Sequence, residues 1–173
     1  MDAAKKFGQK AIYLKTDVSK KSDMEACFNE TLKKFGTIDI VINNAGILDE
    51  ERYELLIDTN IKGVIYGTLL GFKHMGKHRK GKGGIVVNVA SIVGVRQFAG
   101  FPVYTGTKHF VIGFSRAIGS PFYYDNTGVK ILSILPGFTE TVLIHKVPTL
   151  KEFEELKLNE YTNNKIATFA AQP

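Results

Sequence analysis

Tyr104 and Lys108 lie four residues apart in the stretch PVYTGTKHF. On a helix, this spacing places a phenol and an ammonium group on one face and on adjacent turns. A free tyrosine titrates near pH ~10, but a nearby positive charge favours the phenolate and lowers that pKa. A phenolate formed near neutral pH can accept the proton of an alcohol while a hydride leaves the carbon atom. The spacing therefore predicts an acid/base tyrosine with an activating lysine.

The same spacing occurs again in Tyr161 and Lys165, so the pair alone is not specific. Ser91 distinguishes the first pair, because it lies thirteen residues before Tyr104 and directly after a predicted strand. A serine hydroxyl in that place can donate to a substrate oxygen or accept from it. The residue thirteen positions before Tyr161 is Pro148, and we assign the second pair to chance.

Strands and helices are predicted to alternate along the chain. Short apolar runs predict strands at residues 11–15, 38–42, 85–90 and 130–135. Apolar residues at helical spacing predict helices over about 22–35, 60–78 and 102–119. This alternation favours parallel pairing, and the nearly continuous apolar strands indicate helices on both faces of the sheet. The predicted fold class is α/β, with a doubly wound parallel sheet of the Rossmann type.

The predicted sheet also locates a site. In doubly wound sheets, ligands bind beyond the carboxyl ends of the strands. Asp17, the turn 43–46, Ser91 and the turn 136–137 each follow a predicted strand. All four are therefore expected along one edge of the sheet, which is the predicted active site.

These motifs, taken in order and spacing, resemble the short-chain dehydrogenase/reductase family. They are Asn43-Asn44-Ala45-Gly46, Asn60, Ser91, Tyr104 with Lys108, and Pro136-Gly137. The stretches VINNAG, GGIVVNVAS, PVYTGTKHFVIGFSRA and ILPGFTET are most similar to NAD-dependent 15-hydroxyprostaglandin dehydrogenases and insect-type alcohol dehydrogenases. The resemblance implies transfer of a hydride between NAD and a secondary alcohol or a hydroxylated lipid, prostaglandins among them.

The resemblance also implies catalytic roles. Tyr104 would be the acid/base, and Lys108 would lower its pKa and hold the nicotinamide ribose. Ser91 would hydrogen-bond the reacting oxygen, and Asn60 would complete a proton relay through water. Phe101 would contact the substrate and make its pocket apolar. No metal ligand is assigned.

The cofactor contacts that the resemblance implies are spread over several turns. Tyr104 and Lys108 are shared with the catalytic set. Asp17 and Val18 would meet the adenine, while Pro136 and Gly137 would shape a turn that brings two threonines to the nicotinamide carboxamide. The remaining contacts are Asn44, Ala45 and Gly46, which would line the cleft, and the two threonines, Thr139 and Thr141.

Simpler interpretations stay open for several of these residues taken singly. Asp17 also suits the end of a strand, and Asn60 also suits a helix N-cap. Gly46 and Gly137 also suit ordinary turns.

One family motif does not occur in this sequence. The pattern T-G-x-x-x-G-x-G, whose helix N-terminus binds the pyrophosphate, is absent. We therefore expect residues 1–173 to form a single partial domain that lacks the family's first two strands and its last strand, and to bind dinucleotide weakly. NADP is not excluded, because the strand that selects between the two cofactors is also not found. The alternative function is a truncated, non-catalytic subunit that acts by dimerising with an intact partner.

Composition narrows the class of protein further. Hydrophobic residues make up 44% and charged residues 23% of 173 residues, as in an ordinary globular domain. The single cysteine, Cys27, excludes an internal disulfide and favours a reducing compartment. No stretch approaches the ~20 apolar residues of a membrane-spanning helix. The first residues lack a signal-peptide core. We expect a cytoplasmic protein without a membrane partner.

The net charge of +6 is concentrated in the middle of the chain, most densely over residues 73–82. A nucleic-acid surface is one interpretation. A helix C-terminus followed by a glycine loop is favoured, because no stacking aromatic residue lies in this run. We therefore predict no nucleic-acid partner.

Gly63, Gly67 and Gly71 repeat every four residues along the long predicted helix, which indicates a close approach there. Packing within the subunit is one explanation. The resembled family uses this helix and the Tyr104 helix in its dimer interface, so a homo-dimer is the hypothesis.

Overall fold

The structure is a computed structural model that describes residues 6–137 and 150–170. In these ranges the strands are β1 (Ile40–Asn43), β2 (Gly84–Val89) and β3 (Val129–Ile134). The helices are α1 (Lys21–Phe35), α2 (Tyr53–Ile57), α3 (Gly63–Met75), α4 (Pro102–Ile118), α5 (Pro121–Thr127) and α6 (Leu158–Ala170). A π-helical turn (Asp58–Lys62) joins α2 to α3. None of the described helices combines the length and the hydropathy needed to cross a bilayer.

The described strands form one parallel sheet in the order β1-β2-β3. Ile40 pairs with Ile85, and Gly84 pairs with Val129. Parallel neighbours require crossover connections, and here α2–α3 and α4–α5 supply them. The predicted parallel α/β architecture is confirmed.

One predicted strand does not form. Residues 11–15 adopt no regular secondary structure, and Ile12 and Tyr13 are exposed. A strand needs a hydrogen-bonded neighbour, and the described strands pair only with one another. The apolar pattern therefore predicted a strand for a segment that has no ladder partner among the described residues.

Within the described residues, helices cover one face of the sheet. Val41 and Val86 point to this face and are buried against Leu70 and Met75 of α3. None of the described helices covers the opposite face. Four of its apolar side chains, on the two outer strands of the described sheet, are between 43% and 62% exposed: Ile40, Ile42, Leu132 and Ile134.

A buried polar network holds the covered face together. Asn43 Nδ2 donates to Asn88 Oδ1 at 2.8 Å and to Thr68 Oγ1 at 3.2 Å. Asn88 Nδ2 in turn donates to Ser115 Oγ at 2.8 Å. These four side chains belong to β1, β2, α3 and α4, and each is at least 92% buried. Because unpaired buried amides are costly, the network fixes how both helices sit on the strands.

The three glycines of α3 face this core. A Cβ on Gly67 would overlap the side-chain oxygen of Asn43, and a Cβ on Gly71 would lie 2.9 Å from Val86. A Cβ on Gly63 would lie 3.0 Å from Val18. The glycines therefore serve packing inside the subunit, the simpler of the two explanations considered above.

Gly67→Ala is expected to lower the free energy of unfolding by about 1–3 kcal/mol, because the new methyl group displaces Asn43 from its network. Gly113→Ala on α4 is the matched control, since nothing lies within 4 Å of a Cβ at that position. Alanine should stabilise that helix by up to about 1 kcal/mol. Urea unfolding of both variants measures the difference, and equal midpoints would contradict this account of the network.

Candidate active site

Helix α4 carries Tyr104 and Lys108 to the carboxyl edge of β2. The side chains are 8% and 5% exposed. Lys108 Nζ lies 5.4 Å from the centre of the Tyr104 ring and donates to the carbonyl of Val89 at 3.0 Å. Since Val89 is the last residue of β2, this hydrogen bond ties the helix to the end of the strand.

Ser91 lies two residues beyond the end of β2 and approaches Tyr104 from the strand side. Its hydroxyl accepts the N–H of Val93 at 3.3 Å, which caps the single 3-10 turn Ile92–Gly94. Its side chain lies near enough to the Tyr104 phenol to act on that phenol's pKa, in the lowering direction. The next N–H, that of Ile92, donates to the carbonyl of Pro136 at 2.9 Å. The structure thus brings Ser91, Tyr104 and the turn after β3 together at one edge.

Burial sets the protonation of this cluster. Burial raises the pKa of Tyr104 above its ordinary value, and the nearby Ser91 side chain acts in the opposite direction. Burial also lowers the pKa of Lys108 to about 8. The sequence led us to expect a lowered pKa for Tyr104. The direction differs because a buried phenolate loses hydration, and in this structure the Lys108 ammonium is hydrogen-bonded to Val89 rather than to the phenol.

Asn60 lies in the π-helical turn and is 1% exposed. Its Oδ1 accepts the N–H of Ile47 at 2.9 Å, and its Nδ2 donates to the Ile47 carbonyl at 2.9 Å and to Thr107 Oγ1 at 3.3 Å. The side chain predicted to serve a proton relay is therefore placed as a bridge between the loop after β1 and helix α4. Such π turns inside helices are frequently found at functional sites.

The predicted cleft residues after β1 lie beside this bridge. Asn44 and Ala45 are exposed, and Gly46 is half-buried. A Cβ on Gly46 would lie 3.2 Å from Asn60 Oδ1 and 3.7 Å from Lys108 Nζ. A side chain here would cover the lysine, so glycine leaves room for a ligand to reach it.

The predicted adenine contacts lie at the surface ahead of α1. Asp17 accepts hydrogen bonds from the hydroxyl of Ser19 at 2.6 Å and from its N–H at 3.1 Å, and pairs with Lys20 at 3.2 Å. The hydrogen bonds from Ser19 lower the pKa of Asp17. Val18 packs against the start of α3 at Gly63.

The predicted residues after β3 are described only in part. Pro136 and Gly137 are exposed at the carboxyl edge. Thr139 and Thr141 lie outside the described residues.

Phe101, the predicted substrate contact, is 1% exposed. Its ring stacks on Phe98 with centroids 4.4 Å apart and meets the Tyr104 ring edge-on at 5.8 Å. It therefore forms an apolar support beneath Tyr104.

Sequence reasoning missed two residues that shape this site, Thr107 and Glu50. Thr107 Oγ1 links Asn60 to α4, and the Glu50 carboxylate accepts the N–H groups of Val103 and Tyr104. The sequence did indicate that α4 needs a cap from another part of the chain. The N-cap residue of α4 is Phe101, whose side chain has no hydrogen-bond acceptor for the first turn of the helix. Nothing in the acidic run 49–51 distinguishes Glu50 from its neighbours.

Comparison with known proteins agrees with this arrangement. A family model described as short chain dehydrogenase matches residues 1–151. The chain is 38% identical over 156 residues to alcohol dehydrogenase 2 of Ceratitis capitata, covering 90% of this chain and 60% of that protein. It is 34% identical over 139 residues to the NAD(+) 15-hydroxyprostaglandin dehydrogenase of Homo sapiens, covering 80% of this chain and 52% of that protein. The chain thus spans between half and two thirds of the length of these relatives.

A solved structure shows the same fold. The 3-ketoacyl-(acyl-carrier-protein) reductase from Brucella melitensis, complexed with NADH, superposes with a TM-score of 0.76 at 25% identity. The match covers 99% of this chain and 75% of that one. The described elements are therefore part of a Rossmann-type domain.

The buried ammonium predicts a pH dependence of stability. The pKa of Lys108 is about 8 in the folded chain, against an ordinary 10.5. Between these values the unfolded chain binds more protons at this lysine, so raising the pH favours folding. Relative to Lys108→Met, the wild-type chain should gain on the order of 3 kcal/mol of unfolding free energy from pH 8 to 10.5. Urea titrations across this range measure the gain, and parallel curves would contradict it.

Proposed function

This chain belongs to the short-chain dehydrogenase family, and we propose that it transfers a hydride between a secondary alcohol or hydroxylated lipid and NAD, with Tyr104 as acid/base. The observation that carries the proposal is the cluster in which the Ser91 side chain and the Lys108 ammonium both lie beside the buried Tyr104 phenol. A phenol and an ammonium that are both more than 90% buried are costly to keep without a function.

The roles follow from the positions of the polar atoms. In alcohol oxidation the Tyr104 oxygen accepts the hydroxyl proton as the C–H bond breaks and the carbonyl forms. The Ser91 hydroxyl orients the same substrate oxygen. Bound NAD supplies the hydride acceptor. The Lys108 ammonium supplies positive charge on the Tyr104 side, which stabilises the phenolate, and in the reverse direction Tyr104 returns the proton.

The carboxyl edge suits a dinucleotide at the residues predicted for it. Asn44 and Ala45 are exposed there, and the missing side chain at Gly46 leaves space beside Lys108. Lys108 would then hold ribose hydroxyls, and the 136–137 turn would border the nicotinamide end. NAD is favoured because the human relative is named for it, and NADP remains an outcome of the binding test.

Apolar side chains pack around the Tyr104 ring. The rings of Phe98 and Phe101 pack beneath Tyr104, and Leu48, Leu56 and Val93 complete the same cluster. Because these side chains are buried, the choice of a secondary alcohol or a hydroxylated lipid rests on the relatives rather than on a pocket, with Ser91 placed to bind the substrate oxygen. Prostaglandins belong in the substrate panel because a relative is named for them.

A homo-dimer is part of the proposal. Leu69 of α3 is 50% exposed, and Gly106 leaves the outer surface of α4 open to close approach. Sedimentation velocity at micromolar concentration is expected to give a dimer, and a folded monomer would contradict this.

A non-catalytic subunit is the second candidate function. The exposed apolar face of the sheet, at Ile40, Ile42, Leu132 and Ile134, favours it because such surface is normally covered. The two functions differ in whether the activity of the chain depends on Tyr104: a dehydrogenase needs its hydroxyl for turnover, and a non-catalytic subunit does not.

Tyr104→Phe is expected to reduce NAD-dependent oxidation of the best alcohol in the panel by about 10²–10⁴-fold, because it removes one oxygen from an otherwise unchanged ring. Tyr161→Phe is the matched control, since Tyr161 also has a lysine four residues later but is 45% exposed. NADH formation, followed by absorbance, measures both variants.

The outcomes separate the two functions. Activity lost in Tyr104→Phe and kept in Tyr161→Phe supports the dehydrogenase. A folded wild-type chain that oxidises no member of the panel with either dinucleotide would overturn it and favour the non-catalytic subunit.

A further inference from the structure

Glu50 is a carboxylate buried beside the catalytic helix. It has 0% of its surface exposed, less than any other charged side chain that the structure describes as buried. Its two oxygens accept the N–H groups of Tyr104 at 2.8 Å and Val103 at 3.0 Å. Burial raises the pKa of Glu50, and the two N–H groups act against that rise.

Helix α4 needs this contact at its first turn. The N–H groups of a helix's first turn have no partner within the helix. α4 has Phe101 at its N-cap, Pro102 at its first position and no acidic residue in its first turn. A carboxylate more than fifty residues away in the chain therefore supplies the acceptor and the negative charge that a helix N-terminus favours.

The contact ends on the backbone of the acid/base residue itself. The N–H of Tyr104 donates to Glu50, and its carbonyl accepts from Thr107 Oγ1 at 2.7 Å. Thr107 in turn accepts from Asn60, which holds Ile47 on both of its backbone groups. Both backbone polar groups of Tyr104 are thus connected to the loop that follows β1.

The charged residues next to Glu50 in the sequence do not cap α4. Arg52 pairs with Asp49, with Nε at 2.7 Å and a guanidinium nitrogen at 2.6 Å from Oδ2. Glu50 directs its oxygens to the amides of α4 instead. Glu51, the next residue, is exposed.

We propose that Glu50 is a positioning residue for the dehydrogenase reaction, whose carboxylate holds the first turn of α4 and so sets where the Tyr104 phenol meets the substrate oxygen. The inference rests on the proposed function and deepens it. Glu50 acts through the backbone of Tyr104 and does not contact the substrate. Because the loop between Gly46 and Glu50 borders the predicted cofactor cleft at one end and α4 at the other, it links the two halves of the site.

Glu50→Gln tests the need for a carboxylate, because the amide keeps the size of the side chain but offers one acceptor oxygen in place of two. We expect kcat for the best alcohol to fall by about tenfold to hundredfold, with KM for NAD changed less than twofold, since small misplacements of a reacting group slow chemistry without weakening remote binding. Glu51→Gln is the matched control and should keep both constants.

A second measurement does not depend on turnover. The ionisation of Tyr104 is followed by phenolate absorbance, as the difference between each variant and the same variant with Tyr104→Phe. Glu50→Gln is expected to shift this titration by half a pH unit or more, and Glu51→Gln is expected to leave it in place. If the wild-type chain oxidises no alcohol, the proposed function fails, and the titration still decides whether Glu50 positions Tyr104.

The proposal is overturned if Glu50→Gln folds cooperatively and keeps the wild-type kcat and the wild-type titration of Tyr104. If Glu50→Gln does not fold, Glu50→Asp decides, because it keeps the charge on a side chain one methylene shorter. An intermediate loss of kcat, or a smaller shift of the Tyr104 titration, supports positioning in that case. Wild-type values of both in Glu50→Asp would overturn it.

Discussion

Lys108 is 95% buried, so the hydrogen-bond acceptor of its ammonium group must lie inside the protein. The arrangement of the site depends on where that acceptor lies. The acceptor is the carbonyl of Val89, the last residue of β2. That hydrogen bond fixes α4 against the end of the strand. It thereby also fixes Tyr104, which lies one helical turn before Lys108. Ser91, two residues beyond Val89 and past the end of β2, then lies beside the phenol and acts to lower its pKa. This buried charge thus helps to hold helix, strand and hydroxyl together.

The scaffold beneath the site is held by polar groups as much as by apolar packing. Asn43 and Asn88, in paired positions on β1 and β2, hydrogen-bond each other and continue to Ser115 of α4. Gly67 permits the approach of α3, since any larger residue would displace Asn43. Such a network has few alternative arrangements, because each misplaced amide would leave buried donors unpaired. The register of the sheet and the position of α4 are therefore fixed together.

The loop after β1 has a larger part in the site than its sequence suggests. Gly46 leaves space beside Lys108, Ile47 is held by Asn60, and Glu50 caps α4. Over five residues the chain passes from the predicted cofactor cleft to the backbone of Tyr104.

The sequence by itself determined the parallel α/β class and the residues of the cluster, because Tyr104, Lys108 and Ser91 have local signatures of spacing and position after a strand. It predicted a strand at 11–15 that does not form, since strand formation depends on a neighbour that a local pattern cannot supply. Only the tertiary structure decided the role of Glu50 and the direction of the Tyr104 pKa. Both depend on burial and on partners distant in the chain, which residue types and spacings do not encode.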